Sequence, residues 1–397
     1  MRKEGNCLRI WCVSIIANPI DFLKGGSYVF ARYRKVDTVL LGVILILLLI
    51  GIIMTYSSSA VKGYLYYEDP YHYFKADLIW VGLGLAAMTV ALMIDWRFLY
   101  TWAKPIFLFA LLLLVLVKIP GIGKTVNGAT RWIGVGILSI QPSEVIKLAM
   151  VLVMAKFLSA NPHHIKSFRK GIIPSLGLLG VVCALIMLQP DLGTTLVIAA
   201  TVFFMLLAVG ANMWHMAGLG FAGVGLVVAA IIAAPYRMRR IFAFLDPWAD
   251  PSGKGYQTIQ SLLALGPGGL FGLGLGQSRQ KFLYLPENHT DFIFAMIGEE
   301  LGFIGATLVV LLFFLFIWRG FRTAMKASNN FLGLLAVGLT SLIGIQAMIN
   351  MGVVTGVLPV TGITLPFLSY GGTSLLFTMA GAGLLLNISA SDNSEGV

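Results

Sequence analysis

The chain has 397 residues, 58% of them hydrophobic and only 11% charged, with a mean hydropathy of +0.88. Soluble domains hold about 45–50% apolar and about 25% charged residues, so this composition excludes a soluble globular domain and places the chain in lipid. The net charge of +11 divides among the loops of a membrane protein, and no nucleic-acid partner is expected.

In chain order, residues 1–36 form a basic tail, and "RYRK" stands directly before the first apolar run, which assigns this end to the cytoplasm. The apolar piece "IWCVSIIA" within the tail is expected to rest on the membrane, not to be a cleaved signal. Ten apolar segments follow, near 38–56, 76–94, 104–118, 142–159, 171–188, 193–210, 214–234, 291–318, 331–353 and 371–389. Each approaches the ~20 residues that cross a hydrocarbon core of ~30 Å. The third looks short, and only "QPDLG" separates the fifth from the sixth. An even number of crossings returns residues 391–397 to the cytoplasm. The expected fold class is therefore an all-α polytopic membrane protein with about ten transmembrane helices and both termini cytoplasmic. One transmembrane domain, 37–390, carries a long extracellular loop, about 235–290, between spans 7 and 8. The loops "KFLSANPHHIKSFRK" and "RGFRTAMKASNN" fall on the cytoplasmic side and are basic, as the orientation rule requires. Cys7, Cys12 and Cys183 suggest no disulfide framework.

Charged residues recur where spans meet the external side. In "QPSEVIKLAM", Pro142 suits a first helical turn, and Glu144 and Lys147 are i, i+3 neighbours that can pair. The preceding loop "GATRWIGVG" carries Arg131, and "QPDLGTT" brings Asp191 to the same level. The long loop sets Arg237, Arg239, Arg240, Lys254, Arg279 and Lys281 against Asp246, Asp250 and Glu287. Long loops escape the orientation rule, so this surplus is either a solvated cluster or a site for an anionic headgroup such as pyrophosphate. Its "GPGGLFGLGLG" lacks the Lys-Ser/Thr of a P-loop and does not match GxGxxG, so no nucleotide is expected and the stretch reads as an adaptable interfacial loop. Upstream, "GYQTIQSLLALG" predicts a short helix with Ile259, Leu262 and Leu263 on its buried side.

The stretch "LPENHTDFIFAMIGEELG" enters the eighth span yet holds Glu287, His289, Asp291, Glu299 and Glu300. Thr290 is the expected N-cap and Asp291 falls in the first turn, where the helix dipole keeps a carboxylate ionised. Ala295, Gly298 and Gly302 follow on its helix face, a shallow groove for close packing or a cavity. Glu299 and Glu300 would lie ~12–14 Å deeper and must look inward, to a functional site or to internal polar partners. No HExxH, paired His ligands, GxSxG or Walker set is present. One carboxylate beside cations suits general-base activation of a hydroxyl as a phosphate departs, the parts of a glycosyl transfer from a lipid pyrophosphate. Intramembrane acids also suit a flippase or an ion-coupled transporter.

Three stretches, "DPWADPSGKGYQTIQSLLALG", "GLGLGQSRQKFLYLPENHTDFIFAMIGEELG" and "GVLPVTGITLPFLSYGGTSLL", resemble the shape, elongation, division and sporulation (SEDS) family, from about Asp37 to Ala390. The "SRQKFLYLPENHTDF" wording is closer to its FtsW and SpoVE branches than to RodA. The resemblance implies a peptidoglycan glycosyltransferase that polymerises lipid II at the outer leaflet of the bacterial cell membrane, at a division or sporulation septum. It implies Asp291 as catalytic base, Glu144 and Lys147 lining a central cavity, and undecaprenyl pyrophosphate leaving with inversion. Arg131, Asp191, Arg237, Arg239, Arg240, Lys254, Arg279, Glu287 and His289 complete the candidate substrate site. A divalent cation, Mg²⁺ or Mn²⁺, a class B penicillin-binding protein and the division machinery are implied as cofactor and partners. No SxxK with SxN and KTG is present, so cross-linking requires another protein.

Overall fold

The computed structural model describes residues 36–126, 129–135, 138–160 and 167–391; the readings of the N-terminal tail, of 161–166 and of the last residues fall outside them. Among the described residues there are twelve α-helices and one small sheet. In chain order they are α1 Thr38–Tyr67, α2 His72–Met93, α3 Trp96–Leu116, β1 Gly123–Val126, β2 Ala129–Val135, β3 Leu138–Ile140, α4 Pro142–Ala160, α5 Ile173–Met187, α6 Leu192–Ala208, α7 Met213–Ile232, α8 Pro235–Leu245, α9 Tyr256–Leu265, α10 Ile293–Lys326, α11 Asn330–Val354 and α12 Gly372–Ser391. Among the described residues eight helical segments, α5 taken together with the π turn Phe168–Ile172 before it, are long and apolar enough to cross a membrane, so the chain is a polytopic α-helical membrane protein. Together with α4 and the 17-residue α6 they coincide with the ten predicted segments, and α8 and α9 fall in the long loop.

Caps decide where several helices begin. The Asp37 carboxylate accepts from the Val39 and Leu40 N–H groups at 3.1 and 3.0 Å, while its second oxygen meets Arg319 of α10 at 2.6 Å. Asp95 caps α3 by accepting from Arg97 N–H at 2.9 Å, so this span starts at Trp96, not near 104. Pro105 lies inside the helix, because a membrane helix can re-satisfy the one carbonyl that proline frees. Likewise α1 runs past the predicted end near 56: the Ser58 hydroxyl returns to Met54 O at 2.7 Å and costs the helix no stray polar group.

Lipid is as apolar as leucine, so the helices are held by close packing and internal polar bonds instead of by expulsion from water. Helices α11 and α12 are innermost, and α7 lies at the periphery with Trp214, Phe221 and Leu226 exposed. Helix α12 packs on α2, and α11 contacts α4, α6 and α10. Residues 129–135, read as loop, form the middle strand of an antiparallel meander in the order β1-β2-β3, with Ile133 paired to Gly123 and Ile140.

Helix α10 is discontinuous. Gly302 adopts φ 66°, ψ −165°, and the glycine-rich loop enters the break. Leu273 and Gly274 N–H donate to the Glu299 and Glu300 carbonyls, both at 3.0 Å, while Phe303 and Ile304 N–H donate to Gly269 O and Leu270 O at 2.9 and 3.2 Å. Non-helical backbone at membrane depth requires such partners. The loop thus splints the break through its backbone, while Leu270, Phe271 and Leu275 stay exposed on its outer side, as an interfacial strip requires. In α9 the buried side is Thr258, Ile259, Ser261 and Ala264; Ile259 is as predicted, whereas Leu262 and Leu263 are exposed, because Ser261 turns inward to donate to Val354 O at 2.7 Å.

Candidate functional site

Asp291 lies two residues before α10, in a turn held by Thr290 and Phe292 N–H donating to Glu287 O, both at 3.2 Å. The helix starts at Ile293 with no acid in its first turn, and the Thr290 hydroxyl bonds to Glu287 instead of capping. The predicted dipole stabilisation of Asp291 is therefore absent. Burial pushes its carboxyl up to about 7, the Glu287 carboxylate adds to the rise, and Arg240 opposes it. Its backbone is fixed from three sides. Asn350 Nδ2 donates to Asp291 O at 2.7 Å and to Ile363 O at 2.6 Å, Ser369 Oγ donates to Thr290 O at 2.6 Å, and Tyr370 N–H to His289 O at 2.9 Å. The 355–371 loop is thereby sewn onto the Asp291 turn. Gly362, at φ +80°, lies against the carboxylate: a Cβ there would sit 3.6 Å from Oδ2.

Asp291 opens onto a cavity of about 710 Å³ that also receives Arg131, Glu144, Lys147, Asp191, Arg237, Arg240 and Glu287. The convergence of four separate segments, invisible in the sequence, is thus found. Within it, Lys147 Nζ meets Glu144 Oε2 at 2.8 Å, the expected i, i+3 pair, and also donates to Gln346 Oε1 at 2.7 Å. Arg131 lies 3.8 Å from Asp191 and donates to the Gln189 and Pro190 carbonyls at 2.9 and 2.6 Å. Asp191 caps α6 through Thr194 N–H and Oγ1, each at 3.0 Å. Arg237 donates to Ala230 O at 2.8 Å.

Other predicted site residues lie elsewhere. Arg239 and Arg279 are exposed and outside the cavity lining: α8 turns Arg239 away from the face that carries Arg237 and Arg240. Lys254 lines a neighbouring pocket. His289 is buried against Tyr73 and Tyr370, with Nδ1 3.0 Å from Asn288 Oδ1; burial, and then the Lys62 ammonium, hold it down at about 3, so it is neutral. Glu299 and Glu300 have internal polar partners. Glu299 accepts from Ser278 Oγ and Arg279 N–H at 2.5 and 2.8 Å, and Glu300 from Ser57 Oγ at 2.7 Å and Gly276 N–H at 3.1 Å. They anchor the splint loop.

Residues that sequence reasoning passed over are uncharged: Gln346, Asn350, Thr364 and Ser369. Gln346 and Asn350 stand i, i+4 within an apolar span, a spacing that marks an internal polar stripe. The cavity does not hold a ready metal cage. Among the described residues no three His, Cys, Asp or Glu side chains cluster, and Asp191 and Glu144 are engaged with Arg131, Thr194 and Lys147. The described residues thus supply no all-protein cage, whereas a divalent cation that bridges a substrate pyrophosphate needs only one or two protein carboxylates.

A discontinuous helix, a carboxylate at its mouth and an open cavity lined by both charged and apolar side chains define a polytopic α-helical membrane protein built around a large internal cleft. The chain belongs to the FtsW, RodA and SpoVE family: the family model described as "Cell cycle protein" matches residues 37–394. Stage V sporulation protein E of Bacillus subtilis (strain 168) is 51% identical over 353 residues, covering 89% of this chain and 96% of that protein. The probable peptidoglycan glycosyltransferase FtsW of Geobacter sp. (strain M18) is 42% identical over 358 residues, covering 90% and 98%. Among solved structures, a chain of a peptidoglycan synthase complex that coordinates polymerization and crosslinking superposes with a TM-score of 0.76 at 32% identity, covering 91% of this chain and 99% of that one. The rod shape determining protein RodA of Thermus thermophilus gives 0.67 at 30% identity, covering 91% and 98%.

Proposed function

We propose that the chain is a peptidoglycan glycosyltransferase that polymerises lipid II, with Asp291 as general base. The carrying observation is that Asp291 is the cavity carboxylate raised toward neutrality and fixed by Asn350, while Asp191 and Glu144 are paired with cations. A base with its pKa near the working pH transfers protons most effectively. The acceptor sugar's 4-hydroxyl donates to the Asp291 carboxylate, and its oxygen forms the new bond at the donor anomeric carbon. The opposite bond to the pyrophosphate oxygen breaks, its electron pair leaves with that oxygen, and the proton passes to Asp291; attack from the opposite side inverts the centre. Arg240 supplies positive charge beside the reacting groups.

On this reading the cavity faces the outer leaflet, both termini are cytoplasmic, and the chain works at a septum with a class B penicillin-binding protein that cross-links the product. The resemblance to a sporulation protein and to a chain of a synthase complex supports that setting. The test is incubation of purified lipid II with the purified chain and its cross-linking partner. A glycan ladder is expected, and Asp291→Asn should reduce it by about 10²–10⁴-fold, the worth of a general base. Translocation of lipid II without polymer would instead favour a flippase.

A further inference from the structure

Within the glycosyl-transfer reading, positive charge in the central cavity is largely settled locally. Lys147 rests on Glu144 and Arg131 on Asp191, and Arg237 is held by Ala230 O and the Tyr236 ring. Of the cations without an acid partner, Arg237 is engaged by these neighbours, and Arg240 and Lys254 lie at and beyond the wall of this cavity. A second cavity of about 340 Å³ opens between α8, the turn before α9 and the 355–371 loop. Arg240, Gln257 and Val360 line both cavities and form the partition between them. Arg240 Nη1 donates to Val360 O at 3.3 Å, which fixes the guanidinium there.

The side cavity's cations are Arg240 and Lys254, and no carboxylate lines it. Among the described residues neither cation has an acid within ion-pair distance. Asp250 is occupied with the turn itself, its Oδ2 accepting from Lys254 N–H at 2.9 Å. Ser252, Tyr256 and Thr258 add hydroxyls to the wall. Two unpaired cations with neutral donors and no acid match an anion that carries several oxygens.

We infer that this side cavity receives the pyrophosphate of the donor lipid as it departs, with Arg240 holding the end nearer the anomeric carbon and Lys254 the distal phosphate. Inversion places the leaving group across the sugar from Asp291, so the charge that grows there needs cations beyond the partition and no proton. A cation that lines both spaces can hold the pyrophosphate before and after the bond breaks.

The test is equilibrium binding of ³²P-labelled inorganic pyrophosphate to the full chain in phosphatidylcholine nanodiscs. Lys254→Gln should weaken binding about tenfold, the worth of one charge-assisted hydrogen bond, and Lys254→Glu should weaken it further. Lys254→Arg should retain it, as should Lys124→Gln, which removes an exposed cation on β1. Undecaprenyl pyrophosphate should displace the label at far lower concentration than phosphatidylglycerol. Equal displacement by the two lipids would mark a general headgroup anchor, and binding indifferent to the charge at 254 would remove the site; either result overturns the inference. Asp291→Asn, which removes a negative charge near Arg240, should bind pyrophosphate at least as tightly as the parent while losing the glycan ladder, so the two results stand apart.

Discussion

At the residue scale, the position of Asp291 makes its protonation the controlling variable. Its carboxyl is raised to about 7, so kcat/KM for lipid II polymerisation should climb with pH through that region, as a pH-rate profile would record. Stability should run the other way. A carboxyl raised in the folded state binds its proton more tightly there than in the unfolded chain. The stability it contributes is full below the ordinary value of 3.8 and is lost as pH rises through about 7. Asp291→Asn, which carries no charge at any pH, should therefore melt above the parent at pH 8, with the gap closing toward pH 4 in a thermal scan. The Glu144–Lys147 pair behaves differently because both members are buried. Removing either leaves an unpaired charge and should cost about 3–5 kcal/mol. The double alanine variant should be no less stable than the worse single one, and strictly additive losses in chemical denaturation would refute the pairing.

At the element scale, the break in α10 and its splint loop set the mouth of the cavity, since the short half-helix before Gly302 follows the Asp291 turn. Gly302 has φ 66°, and a Cβ there would lie 2.7 Å from the Leu270 carbonyl carbon and oxygen. Backbone at such an angle costs an ordinary residue about 1–3 kcal/mol, and the overlap with main chain adds to it. Gly302→Ala should thus lower the melting temperature of the solubilised protein by several degrees and lower activity with it. Gly42→Ala is the matched control: it sits in the interior of α1 with nothing within 4 Å of the added methyl and should be neutral or slightly stabilising. Equal losses in the two variants would mean that the break is not specified by Gly302.

At the scale of the whole molecule, the proposed orientation places β1 and the splint loop outside the cell and the end of α10 inside. Single cysteines replacing Lys124 or Arg279 in a cysteine-free background should react with a membrane-impermeant maleimide in intact cells. A cysteine at Lys326 should react only after permeabilisation. The reverse pattern would place the cavity on the inner leaflet and end the lipid II polymerase reading. Asp37 with Arg319 ties the start of α1 to α10 at that opposite end, so the two ends of α10 are anchored by unrelated chemistry.

The class was legible from the residues alone, because crossing lipid demands apolar runs of a set length and those runs are local in the chain. The sequence also exposed the charged candidates, since an acid such as Asp291 or Glu144 stands out in an apolar background, and it predicted the Glu144–Lys147 pair, whose spacing is a property of one helix. It misplaced the start of the third span near 104 and of the eighth at 291, and the inward face of α9, where a cap, a turn or a serine bonded to a distant carbonyl overrides local pattern. Folding in three dimensions is what brings Arg131, Asp191 and Asp291 into one cavity, sets Glu299 and Glu300 to hold a loop, shuts His289 away, and turns Gln346, Asn350 and Ser369 onto Lys147 and the backbone of the Asp291 turn. Each of those facts is a contact between residues far apart in the chain. A neutral amide or hydroxyl in a span gives no sign, before folding, of which backbone group it will meet.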